Sequence, residues 1–398
     1  MGEPASLEVL RIFLRLGSTS FGGPIAHFGY FREEFVVRRR WLDDAAYTDL
    51  VALCQFLPGP ASSQVGFSIG LMRAGYAGGL AAWAGFTLPS AVALVSFAYG
   101  AAALSGPIGI GLIHGLKLVA VSIVAQAVAG MARTLCPDLV RASIAAAAAL
   151  VILSGNSSIA QIAVIVVGGL IGLWLCPDGA SVPAEPPVGA IPVSRRAGMI
   201  SLAAFGLLLI GLPAAQRLGG GPGVALFGAF YRSGALVFGG GHVVLPLLRD
   251  AFVTPGWVSD GTFLAGYAAA QAIPGPLFSF AAFLGAVVQP SPHGLAGAGL
   301  GLIAIFLPGM LILVGTLPFW SALRARRRAR AAMRGINAAV VGLLAAALYN
   351  PVWTSSVENA VDLGVALLGF VLLSVWRTSA LWVVMLGAAA GIAISIVG

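Results

Sequence analysis

Apolar residues run through this chain in long stretches, 108–132 among them, separated by short polar or charged breaks. A stretch of that length carries a helix across ~30 Å of hydrocarbon. No part of the sequence shows the period-two alternation of an outer-membrane barrel strand. Two early segments, 7–36 and 46–72, depart from the long-run pattern. Glycine or proline divides each into apolar arms of roughly 12 residues, a length that suits re-entrant pieces better than full spans. The second break reads "QFLPGP" at 55–60, and "QAIPGP" returns at 271–276. Proline removes a backbone donor and clashes with the preceding turn, and glycine loosens the backbone, so Pro-Gly-Pro ends a helix. In a bilayer the freed backbone groups are tolerated only inside protein or beside a water-filled cavity.

The second Pro-Gly-Pro belongs to a duplication. A shift of 217 residues pairs Arg15 with Arg232, Gly17 with Gly234, "FGG" at 21–23 with "FGG" at 238–240, Arg32 with Arg249 and Phe35 with Phe252. One deletion later, Trp41 pairs with Trp257, Asp44 with Asp260 and Gln55 with Gln271; Leu88-Pro89 then matches Leu307-Pro308, and Gly115 matches Gly335. The chain thus reads as two homologous halves, 1–176 and 222–398. Between them, 177–221 holds a polar, Pro-rich linker and one extra apolar segment at 198–213. An unpaired span between two repeats inverts the second.

Composition and charge extend this picture. Hydrophobic residues make up 59% and charged residues 9%, against roughly 25% charged in a soluble domain, which leaves no room for a soluble enzyme domain. The 22 Lys+Arg exceed the 14 Asp+Glu, and the excess fits membrane topology rather than nucleic acid. Arg38–Arg40 and the 324–334 stretch "RARRRARAAMR" lie between apolar runs, where basic residues mark cytoplasmic loops. If the half-one hairpins enter from the cytoplasm and half two is inverted, every basic residue except Arg217, Arg232, Arg249 and Lys117 is cytoplasmic. The expected fold is therefore an all-α polytopic membrane protein of two inverted repeats. Each repeat has four full spans and two broken, re-entrant hairpins, and one connecting span makes nine spans in all. A hairpin and a kinked through-going helix look alike in sequence, so both stay open. The Arg- and Ala-rich composition looks bacterial. Cys54, Cys136 and Cys176 lack metal-ligand spacing, so no metal or cofactor is expected.

The breaks carry the candidate chemistry. They comprise Phe21, Gly22, Gly23, Pro24 and His27; Gln55, Pro58, Gly59 and Pro60; Gly239, Gly240, Gly241 and His242; and Gln271, Pro274, Gly275 and Pro276. A half-helix starting at such a break aims free N–H groups and its positive dipole end into the membrane, which makes an anion site without formal charge. Ser62, Ser63 and Gln64 follow the first Pro-Gly-Pro and serve equally well as caps or as donors to an oxyanion. Lys117 stands within an apolar run, with Asn337 as its counterpart in half two. An intramembrane cation marks a substrate pathway or a partner. His27, His114 and His242 are candidate proton carriers. Asp43, Asp44, Asp49, Glu33 and Glu34 fall at hairpin mouths or feet, and Glu358 and Asp362 near a loop, so no buried acid is expected. That absence argues against a cation transporter, and the lack of a nucleophile and base pair argues against an intramembrane hydrolase.

The string "SFGGPIAHFGYFREEFVVRRRWLDDAAYTDLVALCQFLPGPASSQVG", with "FGGGHVVLPLLRDAFV" and "QAIPGPLFSFAAFLG" in the second half, resembles the two signature regions of the chromate ion transporter family in its long, two-domain form. The resemblance implies a cytoplasmic-membrane protein that expels chromate using the proton motive force, with protons as coupling ion and sulfate as competitor. It is not expected to be an enzyme. Nothing in the residues separates chromate from sulfate. A sulfate-like oxyanion transporter or uniporter and a non-transport sensor or scaffold remain as rivals, and exposed small-residue faces leave a homodimer open.

Overall fold

The computed structural model describes residues 4–21, 23–103, 106–155, 158–176, 193–238, 241–289, 291–324 and 326–397. Gly22, Gly239 and Gly240 of the candidate site, and 177–192 of the expected linker, lie outside them. The described residues are helical, with no strand. The first half contains α1 (Ala5–Thr19), α2 (Gly23–Arg32) continued by a π-helical turn (Glu33–Arg38), α3 (Asp44–Phe56), α4 (Ala61–Ala103), α5 (Gly106–Leu135), α6 (Leu139–Ser154) and α7 (Ser158–Leu175). After α8 (Arg195–Arg217), the second half contains α9 (Pro222–Ala235), α10 (Val244–Phe252), α11 (Asp260–Ala272), α12 (Phe280–Val287), α13 (Gly294–Thr316), α14 (Trp320–Arg324), α15 (Arg327–Ala347), α16 (Ala360–Ser374) and α17 (Ala380–Val397). A second π-helical turn, Leu348–Trp353, extends α15.

The duplication seen in the sequence recurs as duplicated structure. Asp43 caps α3 by accepting from Ala46 N, and Ser259 caps α11 by accepting from Thr262 N. Arg32 Nε lies 2.7 Å from Asp44 Oδ1, and Arg249 Nε lies 3.0 Å from Asp260 Oδ1. The Phe35 and Trp41 rings are 5.2 Å apart, those of Phe252 and Trp257 5.8 Å. Helix α4 folds back on itself at Ala74–Gly75, where the backbone leaves the helical region, so that Gly70 packs on Gly78 and Phe67 on Gly79. Half two makes the same fold-back between α12 and α13, through Gly285 and Gly297. Each half therefore opens with four short arms, α1, α2, α3 and the 61–73 arm of α4 in the first. At 1.5 Å per residue the 15 residues of α1 reach about 22 Å, short of the hydrocarbon thickness.

The two halves are not separate bodies, because each lends helices to the other. The α6–α7 pair of half one packs on α15 of half two, while α16 and α17 of half two pack on α5 of half one. Close approach comes from glycine on both sides, Gly115 against Gly387 and Gly335 against Gly168. These contacts also give direction. Along α5, Ser122 bonds the carbonyl of Ala366 and Gln126 that of Leu373, so contacts rise together and α5 runs parallel to α16. Gly111 instead meets Gly391 and Gly115 meets Gly387, so α5 runs antiparallel to α17. Since α16 turns back from α15 through the short 354–359 connection, α5 and α15 run in opposite senses, the relation that inversion requires.

Of the nine spans expected, five fall on helices long and apolar enough to cross a membrane: Ala61–Gly100, whose part beyond the Ala74–Gly75 bend is the expected span, Ile108–Leu135, Arg195–Arg217, Gly294–Phe319 and Arg327–Trp353. The other four fall on α6, α7, α16 and α17, which are shorter apolar helices and are the ones exchanged between halves. Connector α8 packs against α9 and α13 and turns Ile200, Leu207 and Ile210 outward, as a lipid-facing helix does.

Candidate functional site

The site begins with what Pro-Gly-Pro does to the backbone. Gly59 and Gly275 sit at φ 116° and 103°, a region that side chains with a Cβ rarely enter. That turn points each glycine N–H across the molecule. Gly59 N donates to Val237 O at 2.8 Å, and Gly275 N donates to Ser20 O at 3.0 Å. Ser20 and Val237 occupy the same repeat position just before the two Phe-Gly-Gly breaks, so each half clasps the other by the same bond. A Cβ on Gly59 would stand 2.9 Å from Gly309 Cα, and one on Gly275 2.9 Å from Ser90 Oγ; residues 90 and 309 are again repeat counterparts. Gly241 closes the ring, its Cβ position 3.7 Å from Pro24 Cγ. All four breaks therefore meet. One expectation changes: the N–H groups of Gly59 and Gly275 hold protein carbonyls, which leaves the first-turn donors of the 61–73 arm to face any anion.

Around the half-one tip the side chains form a buried polar knot. His27 Nε2 lies 3.2 Å from Ser20 O and His27 Nδ1 3.2 Å from Ser62 Oγ. A carbonyl only accepts, so Nε2–H donates to it, and Nδ1 of the neutral ring accepts from the Ser62 hydroxyl. Gln64 Nε2 donates to Pro58 O at 3.0 Å and to Gly309 O at 2.8 Å, tying the tip to α13. Ser63 Oγ, Gln64 Oε1, Ser20 Oγ and Thr87 Oγ1 are buried and have no partner among the described residues. Pro58, Gly59 and Pro60 are buried as well, whereas Phe21, Gly23 and Pro24 are half-buried.

The half-two tip is built from other side chains. His242 Nδ1 and the Tyr267 hydroxyl share a hydrogen bond of 2.9 Å, and Nδ1 lies 3.4 Å from Gln271 Nε2. Ser279 and Ser90 share a hydrogen bond of 2.6 Å. Pro274 is half-buried and Pro276 buried. Ser279 is the repeat counterpart of Ser63 just after the second Pro-Gly-Pro, whereas Tyr267 and Ser90 escaped the sequence reading because each lies in an unremarkable apolar stretch. The candidates Lys117 and Asn337 are not drawn into either knot by any hydrogen bond. Lys117 is half-buried with no hydrogen bond or ion pair among the described residues. Asn337 Oδ1 is buried and unpartnered among them.

A family model described as Chromate transporter matches residues 7–173 and again 224–392. The chain belongs to the chromate transporter family. Three curated relatives resemble it over most of their length. The "Chromate transport protein" of Pseudomonas aeruginosa is 28% identical over 84% of this chain and 78% of its own. The "Probable chromate transport protein" of Synechococcus elongatus is 27% identical over 93% and 90%, and the "Chromate transport protein" of Cupriavidus metallidurans 26% identical over 92% and 86%. No solved structure matches significantly.

Two further features distinguish this member of the chromate transporter family from its sequence reading. First, buried acids exist. Asp362, placed near a loop by the sequence, is fully buried and accepts from Glu358 N at 3.0 Å, and its Oδ1 is 2.8 Å from His114 Nε2. Glu34 is buried between Arg38 and Arg39, at 2.5 and 2.7 Å, and Asp49 accepts from Trp320 Nε1 at 3.1 Å. The helix start at Asn359, whose side chain accepts from Val361 and Asp362 N, draws Asp362 into the first turn of α16 and against α5. Second, the two tip hairpins differ in cover. Helix α11 packs on α5 and α17, while among the described residues α3 shows no comparable packing on α15 or α7. Gln55 is consequently exposed and its mirror Gln271 half-buried, so the two glutamines do not flank the tips alike. Among the described residues no cluster of three metal-ligating side chains forms.

Proposed function

We propose that this protein exports chromate across the bacterial cytoplasmic membrane by alternating access, binding the dianion where the four tips cross and drawing on the proton motive force. The substrate is carried over from relatives whose names give chromate transport. It suits a site with helix N-termini, hydroxyls and the Lys117 cation and without a carboxylate in either knot.

The observation that carries the mechanism is the unequal cover of two equivalent hairpins. The exposed stripe on α3 is Ala45, Thr48, Ala52 and Gln55, small and polar, whereas helices facing lipid expose Leu, Ile and Trp. That composition favours water over lipid. With hairpin one entering from the cytoplasm, as the arginines favour, the open side is the inner one. Exchange of the two hairpins' environments gives the outward-open state. In this cycle 1–176 and 222–398 are the moving repeats, and the orphaned hydroxyls beside Gln64 face the oxyanion in the inward-open state.

Inside-out vesicles carrying the protein are expected to accumulate chromate when a proton gradient is imposed. Uptake that ignores the gradient makes it a uniporter; sulfate, molybdate and phosphate competing on one purified preparation fix the preferred anion. No binding of any of these oxyanions overturns the proposal. Lys117→Gln is expected to raise the apparent chromate KM about tenfold, and an unchanged KM removes Lys117 from the site.

A further inference from the structure

The tips engage His27 through both ring nitrogens and His242 through Nδ1, which leaves His114 as the histidine joined to an acid. His114 stands on α5 of half one and Asp362 on α16 of half two, 2.8 Å apart across the interface between the halves. Asp362 is 0% exposed and the His114 side chain 20%, so a proton reaches the acid by way of the imidazole. Both groups bonded to the carboxylate, His114 Nε2 and Glu358 N, are donors, an arrangement that holds it ionised. A proton added to the pair settles on the other imidazole nitrogen, Nδ1, and turns the bond into an imidazolium–carboxylate pair, which tightens the hold between the halves; its release loosens that hold.

Helix α17, packed on both α5 and α16, carries no ionisable side chain. On α11, Asp260 is held by Arg249 and Tyr267 by His242. Tyr349 lies on the π-helical turn, and the arginines of α15 occupy that helix's first turns. On α5 itself, Arg133 lies in the last turn, and Lys117 is one turn from His114 and without a partner among the described residues. The repeat counterparts of His114 and Asp362 are Arg334 and Ala142, so half two offers no second copy.

We infer that the His114–Asp362 pair is the proton-binding site of the transport cycle, a role that rests on the proposed function above. The proton count of this pair sets how firmly α16 is held to α5, and so biases which half-to-half arrangement the chain adopts. The pair lies on the side that the arginine distribution places outside, where protons enter under the proton motive force.

Two signals from one preparation of proteoliposomes test it: chromate–chromate exchange, which needs no net proton movement, and the internal fluorescence of trapped pyranine when a chromate gradient is imposed. Wild type is expected to give both. His114→Gln and Asp362→Asn are expected to keep exchange and lose the proton signal to the level of empty vesicles, and Asp362→Glu to restore it. Ser122→Ala removes another bond between α5 and α16, donated to Ala366 O at 2.7 Å, and is expected to keep both signals. A proton signal that persists in His114→Gln and Asp362→Asn, or is lost equally in Ser122→Ala, overturns the inference. Exchange without any proton signal in wild type overturns it alone, and no exchange in wild type overturns the substrate reading together with it.

Discussion

Hairpin one and hairpin two are the same unit in two environments. Pro246 and Leu247 of α10 are buried, and their repeat counterparts Gly29 and Tyr30 of α2 are exposed. Leu264 and Ala268 of α11 are fully buried, whereas Thr48 and Ala52 of α3 are exposed. The anchoring is nonetheless shared, since both tips hold the opposite half through a glycine N–H and both hairpins carry the same Arg–Asp pair. Common anchors with unequal cover fit the proposed cycle, in which cover changes while the tips stay in place, the arms move and the crossing is the fulcrum.

The comparison is broken most severely at the fulcrum. Gly59→Val and Gly275→Val each force a branched side chain into a strained backbone region and against a neighbour 2.9 Å away, expected to cost on the order of 3 kcal/mol or more and to abolish transport. Thermal melting in detergent checks it, and equal losses are expected because the two bonds are equivalent. Cover itself is read by thiol labelling in a cysteine-free background. Thr48→Cys is expected to react about tenfold or more faster than Leu264→Cys, since the buried site labels only from a minor state. Equal rates dissolve the asymmetry. Next in size, Gln271→Ala removes a contact to His242 and is expected to cost about 0.5–1.5 kcal/mol, against under about 0.5 kcal/mol for exposed Gln55→Ala. Smallest are the ion pairs. Arg32 and Asp44 are 52% and 62% exposed, so Arg32→Ala is expected to move the melting free energy by under about 0.5 kcal/mol, and the better covered Arg249→Ala by about 1 kcal/mol.

The anchors were legible in the sequence, and the cover was not. Matching Arg32 with Arg249, Asp44 with Asp260 and one Pro-Gly-Pro with the other located both tips, because covalent spacing is conserved through a duplication even where packing is not. Cover is a property of one conformational state, and a repeat shift assigns both copies the same environment. Gln55 and Gln271 therefore looked like mirror images. The His114–Asp362 contact was hidden for a different reason: its partners lie 248 residues apart, and Asp362 follows a polar stretch, which reads as a loop until Asn359 is seen to cap a helix. The exchange of helices between halves was invisible too, since Gly115 and Gly387 mark close packing without saying which helix approaches.

That exchange has a consequence for how the protein is made. When α6 and α7 leave the ribosome, the helix they will cover, α15, has not been translated, and α5 likewise waits for α16 and α17. The nascent first half therefore holds the bare glycine face of α7, Gly168 and Gly172, in lipid until the second half arrives. A product truncated before α15 lacks the cover for that face, and only the complete chain supplies it.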